Sequence, residues 1–185
     1  VTLSRILALA AVYDGYSVRT GESLGMAQRF GTVVSFVRIG INTAVHAPTF
    51  GIGKADYLIG LELTEAARNL KYLKKRGMII LNDEVKPPLS SSLGYEPGID
   101  KATLIHILKE NAEIIVIANA KELAREAGNE KALNMVLLGM FNAYSKLLTE
   151  ESIEKAIMVM LPGNKGRISI KAYRLGGLRI KELIY

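Results

Sequence analysis

The chain has 185 residues, a hydrophobic fraction of 49%, a charged fraction of 23% and a formal net charge of +6, the size and balance of one domain, residues 1–185, able to bury a core. It contains no cysteine and two histidines, which excludes disulfides, a thiol nucleophile and iron–sulfur ligation by its own thiolates, and argues against a structural zinc site. No charge-free apolar run reaches about 18 residues and the opening Val1–Ala8 lacks a secretory leader's basic start, so neither a membrane span nor export is expected and the location expected is the cytoplasm.

Along the chain, helix and strand alternate. Leu3, Ile6, Leu7, Ala10 and Ala11 fall at helical spacing, and Asp14-Gly15 ends that helix. Tyr16–Thr20 reads as a short strand and Thr32–Ile39, rich in Val and Phe, as a strong one. Gly40-Ile41-Asn42 turns it, with Thr43–His46 returning as a hairpin partner. Ala55–Leu61 reads as a buried strand. Thr64 is expected to cap a helix reaching about Lys75, with Glu65 in its first turn. Lys71, Lys74, Lys75 and Arg76 would then complement the dipole in its last turn. Met78–Leu81 is the next apolar run. Residues 83–98, with Pro87, Pro88 and Pro97, read as a long functional or mobile loop.

Lys101–Lys109 is expected to be a helix, Ile114–Ala118 a strand, and Lys121–Ala127 a helix stopped by Gly128-Asn129. Leu133, Val136, Leu137, Met140, Phe141, Tyr144, Leu147 and Leu148 form one stripe of a further helix. Thr149 caps the next, with Glu150 and Glu151 at its positive end. Residues 163–185 read as a basic tail that docks on a neighbour. Strand-like runs separated by single helices imply a three-layer α/β/α fold with a mostly parallel sheet and a hairpin insertion. Such folds open with a strand and a glycine-rich turn. This sequence opens inside a helix, so a first strand is expected to be missing from it.

The segment Gly25-Met26-Ala27-Gln28-Arg29-Phe30-Gly31 places a Gln and an Arg in a glycine-bracketed loop just before a strand. Arg29 has the planar fork that suits phosphate or carboxylate, and a solvated surface loop would look the same. Gly51-Ile52-Gly53-Lys54 is not a phosphate loop, because its leading glycine would fall on Pro48 and its Ser/Thr position on Ala55. No G-x-G-x-x-G is present, so a nicotinamide cofactor has no positive support. His46 and His106 are isolated, and no catalytic constellation or metal cluster can be assembled. Lys and Arg are spread along the chain, concentrated at 71–76 and 165–179 without interleaved aromatics, so no nucleic-acid partner is expected. Asn134 sits among Leu137, Leu138 and Phe141 at helical spacing. It should bond to nearby backbone or to a polar ligand.

One stretch carries more. Glu22-Ser23-Leu24-Gly25-Met26-Ala27-Gln28-Arg29-x-Gly31-x-Val33-Val34-Ser35-x-Val37-Arg38-x-Gly40 resembles the signature of the β subunit of indolepyruvate:ferredoxin oxidoreductase. That subunit is related to the γ subunits of pyruvate and other 2-oxoacid:ferredoxin oxidoreductases. Ala55–Glu62, Glu65-Ala66, Lys71-Tyr72-Leu73, Ile79–Asn82, Gly128-Asn129, Asn134–Gly139 and Ile170–Gly176 follow in family order. The family usually has a glycine where Phe30 stands, a ring that would narrow the loop.

The resemblance implies a subunit that is not catalytic alone. Its complex oxidatively decarboxylates a 2-oxoacid, here indolepyruvate or another aryl pyruvate, forms the acyl thioester of coenzyme A and passes electrons to ferredoxin. Thiamine diphosphate, magnesium and the iron–sulfur clusters would belong to a larger partner subunit, as the absence of Cys requires for the clusters. This chain would line the coenzyme A site. Arg29 would meet an anionic group of that cofactor, Gln28 and Asn134 would hydrogen-bond to it, Gly25 and Gly31 would let the backbone approach, and Glu22 and Ser23 would shape the loop. The alternatives are a γ subunit for pyruvate, 2-oxoglutarate or a branched-chain 2-oxoacid, a non-enzymatic scaffold or nucleotide-binding module, and an independent nicotinamide-dependent reductase.

Overall fold

The computed structural model describes residues 1–24, 33–86 and 99–183. Helix α1 (Thr2–Tyr13) leads into β1 (Ser17–Leu24) and β2 (Val33–Gly40), an antiparallel pair in register from Ser17↔Gly40 to Leu24↔Val33. The hairpin partner of β2 is thus the strand before it. The expected partner, 43–46, is irregular, because Val45 N–H donates to Ser17 Oγ at 3.0 Å instead of joining a ladder.

The body is a parallel sheet of β3 (Ala55–Gly60), β4 (Leu73–Asn82) and β5 (Ile114–Ala118), in that spatial order. Helices α2 (Leu63–Asn69) and α3 (Lys101–Glu110) are its two crossovers. The helix expected to reach Lys75 stops at Asn69; a 3₁₀ turn, Leu70–Tyr72, follows and Leu73 already pairs with Ala55. The helical apolar spacing runs on through Leu70 and Leu73, so only the strand pairing reveals the break. The cap is Glu62, not Thr64: its carboxylate accepts from the Thr64 N–H at 2.8 Å and from the Glu65 N–H.

Alternation along β4 builds both faces. Ile79 and Leu81 pack with Leu63, Ala66, Leu104 and Leu108 under α2 and α3. Met78 and Ile80 face the other way, toward α1, α4 (Ala120–Ala127), α5 (Leu133–Ser145), α6 (Glu150–Met160) and α7 (Asn164–Arg179). Burial on both faces is what a parallel sheet requires, and the layers are helix, sheet, helix as expected.

Helix α5 is more than a one-sided stripe. Residues 135–142 are all buried, because the helix is sandwiched between the sheet and α7. It ends at Ser145, with Lys146 in the left-handed region, so Leu147 and Leu148 lie beyond it. The supposed basic tail is α7, whose Gly166, Ser169, Ala172, Tyr173 and Gly176 are buried within this same chain. Its cations turn outward: Arg174 grips Glu154 through two bonds of 2.6 and 2.7 Å, and Lys171 donates to the Glu126 carbonyl at 3.1 Å.

Asp14 joins two segments far apart in the sequence. Its carboxylate accepts from Thr149 N–H and Oγ at 2.7 Å each and from Ser152 Oγ at 2.6 Å, tying the end of α1 to the start of α6. Burial by itself would raise this carboxyl, but the hydrogen bonds from Ser152 and Thr149 together bring it below its ordinary 3.8. A carboxyl lowered in the folded state stabilises above its unfolded value, and that contribution is lost as pH falls through the folded one. Asp14→Ala should therefore unfold at lower urea concentration than the wild type at pH 7, and the gap should close as pH drops below about 4. Urea titrations across pH 3–7 check this.

Candidate functional site

In open parallel sheets the carboxyl ends of the strands are where ligands bind, and here that edge is held by two buried polar side chains. Glu62, which follows β3, is 7% exposed. Besides capping α2 it accepts from Lys86 N–H at 3.4 Å. Thr64 Oγ donates to the Lys86 carbonyl at 3.3 Å and Leu63 N–H to the Glu84 carbonyl at 2.8 Å. The start of α2 is thereby fastened to residues 84–86.

Asn82, at the end of β4, is 1% exposed. Its amide donates to the Leu61 carbonyl at 3.1 Å and to Glu84 Oε2 at 3.2 Å, and its oxygen accepts from Ala120 N–H at 3.1 Å. Asp83 N–H reaches the Ala118 carbonyl at 2.8 Å. One amide thus links the ends of β3 and β4 to the first turn of α4. The helix starts at this edge are capped by their own side chains, α3 by Asp100 and α4 by Asn119. The Thr103 hydroxyl and N–H hold the Asp100 carboxyl below its ordinary value. The Asp83 carboxylate pairs with Lys101 at 2.8 Å.

A groove of about 2110 Å³, open to solvent, runs between β2 and β3 and reaches this edge at Glu62, Thr64 and Lys86. Leu7, Val37, Ile39 and Ile59 line its length. On its α5 side Tyr57 stands edge-on to Phe141, ring centroids 5.0 Å apart, and burial raises the Tyr57 phenol above 10.0. No group of three or more His, Cys, Asp or Glu among the described residues could hold a metal ion. His106 meets Glu110 at 3.3 Å on the surface, and His46 is exposed elsewhere.

Of the residues singled out in the sequence, Gly25, Gln28, Arg29 and Gly31, with Phe30, lie outside the described residues. Asn134 is the second residue of α5 and half-buried. Its side chain bonds to no other described residue, so the expected backbone bond is not made. Glu130 just before α5 contacts Lys121 in the first turn of α4 at 4.0 Å, whereas Phe141 further on meets Tyr57 near the start of β3. Sequence reasoning gave Glu62 and Asn82 no role. The signal available was a polar residue placed where each apolar strand stops.

The family described as pyruvate ferredoxin/flavodoxin oxidoreductase matches residues 1–177. The "Indolepyruvate oxidoreductase subunit IorB" of Thermococcus kodakarensis is 34% identical over 187 aligned residues, covering 100% of this chain and 91% of that protein. Among solved structures, the keto/oxoacid ferredoxin oxidoreductase γ subunit of Geobacter sulfurreducens superposes with a TM-score of 0.68 at 22% identity, over 97% of this chain and 90% of its own. The 2-oxoglutarate:ferredoxin oxidoreductase of Magnetococcus marinus, solved with 2-oxoglutarate, coenzyme A and succinyl-CoA bound, superposes with a TM-score of 0.71 at 14% identity, over 99% of this chain and 29% of that one. These likenesses agree with the resemblance carried by residues 22–40 and with the layered parallel fold. The chain belongs to the pyruvate ferredoxin/flavodoxin oxidoreductase family, as a subunit of a 2-oxoacid:ferredoxin oxidoreductase.

Proposed function

We propose that this chain, residues 1–185 acting as one γ-type domain in the cytoplasm, works with a larger subunit to oxidise indolepyruvate or a related aryl pyruvate to its acyl-CoA, with ferredoxin as electron acceptor. The observation that carries this reading is the 34% identity to an indolepyruvate oxidoreductase subunit over the whole chain. Thiamine diphosphate, magnesium and the iron–sulfur clusters are assigned to the larger subunit. Cluster ligation needs thiolates, which this chain lacks, and its described residues offer no metal-holding group.

The part assigned to this chain is a wall of the coenzyme A site. Arg29 faces an anionic group of the cofactor, Gln28 and Asn134 supply hydrogen bonds, and Gly25 and Gly31 permit close backbone approach. The Asn134 side chain bonds to no other described residue, which leaves its amide available to a ligand and supports a contact there.

Two measurements test this. Affinity purification of the tagged chain should bring down a larger, cluster-containing protein; a solitary chain that turns over alone would overturn the reading. In that complex, Arg29→Ala should raise the apparent KM for coenzyme A by roughly 10- to 100-fold and Asn134→Ala by about fivefold, the ordinary worth of a charge-assisted and a neutral hydrogen bond. Unchanged values in both would remove the site assignment while leaving the family intact.

A further inference from the structure

The cations at 71–76 do not serve a helix dipole, since the helix ends at Asn69. Only Lys71 lies in the 3₁₀ turn that follows; the rest belong to β4. They stand at the amino edge of the sheet, where Lys54, Lys74 and Arg76 also line the end of the groove away from Glu62 and Asn82. We infer that the basic bulge of β4, with Lys75 and Arg76 at its tip, docks an acidic face of the partner subunit; this rests on reading the chain as half of a two-subunit complex.

The strand register defines the bulge. Ala55 pairs with Leu73, but Tyr57 pairs with Met78. Residues Lys74, Lys75, Arg76 and Gly77 therefore stand opposite Asp56 alone. Both ends of the loop are fastened. Lys74 pairs with Asp56. The Gly77 carbonyl accepts from Glu113 N–H at 3.1 Å, and a Cβ at Gly77 would lie 2.5 Å from Leu73 Cδ1.

Between these anchors Lys75 and Arg76 are exposed. Arg76 has φ +63°, a left-handed backbone that glycine or asparagine adopts more readily than arginine. Neither cation pairs with an acid among the described residues. Gly53 N–H donates to the Lys71 carbonyl at 2.8 Å, which sets exposed Lys54 and Lys71 beside the base of the bulge. A bulge of this kind re-aims side chains, and here what it aims outward is charge.

The surface suits a folded protein better than a nucleic acid. Asp56, Glu110 and Glu113 stand around the cations and would repel a phosphate backbone. A protein face of mixed charge, predominantly acidic, complements both signs and fixes orientation.

The test uses the complex purified through the tagged chain, separated and rebound. The double variant Lys75→Glu/Arg76→Glu should weaken binding to the larger subunit by about tenfold or more at low salt, chiefly through slower association, and flatten the salt dependence. Lys165→Glu/Arg167→Glu, on exposed cations of α7, should bind as the wild type does. The thermal midpoint of the isolated chain, read alongside, should be the same for all three, so that loss of fold is not mistaken for loss of docking. Unchanged affinity and salt slope, or an equal loss in the α7 variant, would overturn the inference. So would intact assembly with only the ferredoxin-linked rate lowered and viologen-linked turnover kept, which would assign the bulge to the electron carrier. Binding of a labelled single-stranded oligonucleotide by the wild type but not the variant would assign it to nucleic acid instead. Absence of any co-purifying subunit would sink the complex itself; these other outcomes would sink this surface alone.

Discussion

Gly139→Ala and Gly176→Ala should each cost about 3 kcal/mol or more, lowering the thermal midpoint by roughly 10 °C or abolishing soluble folding. Helices α5 and α7 meet backbone to backbone at these residues. A Cβ on Gly139 would lie 1.9 Å from the Tyr173 carbonyl oxygen, and one on Gly176 would lie 2.0 Å from that of Val136. Neither obstacle is a side chain that can rotate away. The helices would have to separate, and separation would unpack residues 135–142, which are buried on every side. Because both positions serve one crossing, the double variant should cost less than the sum of the singles. As a control, Gly51→Ala meets nothing within 4 Å and should change little. Urea unfolding of the four variants checks this; near-wild-type midpoints for both single helix variants would mean that the crossing is not tight.

Asn142→Leu should cost about 2–4 kcal/mol although it keeps the same branched four-atom skeleton. The amide donates to the Leu148 carbonyl and to the Tyr173 hydroxyl, both at 3.0 Å, and accepts from Leu148 N–H at 3.2 Å. A leucine would strand these groups where water does not reach. Tyr173→Phe should cost less, about 1 kcal/mol, since the Asn142 amide keeps Leu148. It should also alter the alkaline limb. Burial pushes the Tyr173 phenol up to about 12 from 10.0, so above pH 10 the unfolded phenol ionises while the folded one stays neutral. The stability tied to this group is complete below about 10 and is lost as pH rises toward 12. Between those values the wild type should lose stability faster than Tyr173→Phe, as urea midpoints at pH 9 to 11.5 will show.

Asn134 and Asn142 also show what could be read from the sequence and what could not. Both are amides on the same helix among the same apolar residues. The partners of Asn142 lie 6 and 31 residues away, so nothing local marks it as the satisfied one. Helix α1, strand β5 and the stop of α4 at Gly128 were legible, because apolar spacing and end signals agreed there. Leu73 was not, since one apolar residue serves a helical period and a strand start equally well. The pairing of β2 with β1 also escaped, because polar alternation in Ser17–Leu24 gives little sign of a strand that long. The family signature was plain, but the side chains that organise the described edge, Glu62 and Asn82, act through backbone groups whose position only the fold supplies.

The bond from Asp14 to Thr149 and Ser152 spans 135 and 138 residues. One face of the sheet is built from a continuous stretch, β3 through β5, whereas the other draws on segments from both sides of that stretch, α1 before it and α4 to α7 after it. At ribosomal speeds the first helix emerges roughly 10 s before the segment that clamps it. The strand–helix repeat can collapse during that interval, but its companion layer must wait until α6 and α7 have been made. For those seconds the apolar side of the nascent sheet stands uncovered, which makes this the interval when a chaperone would matter most.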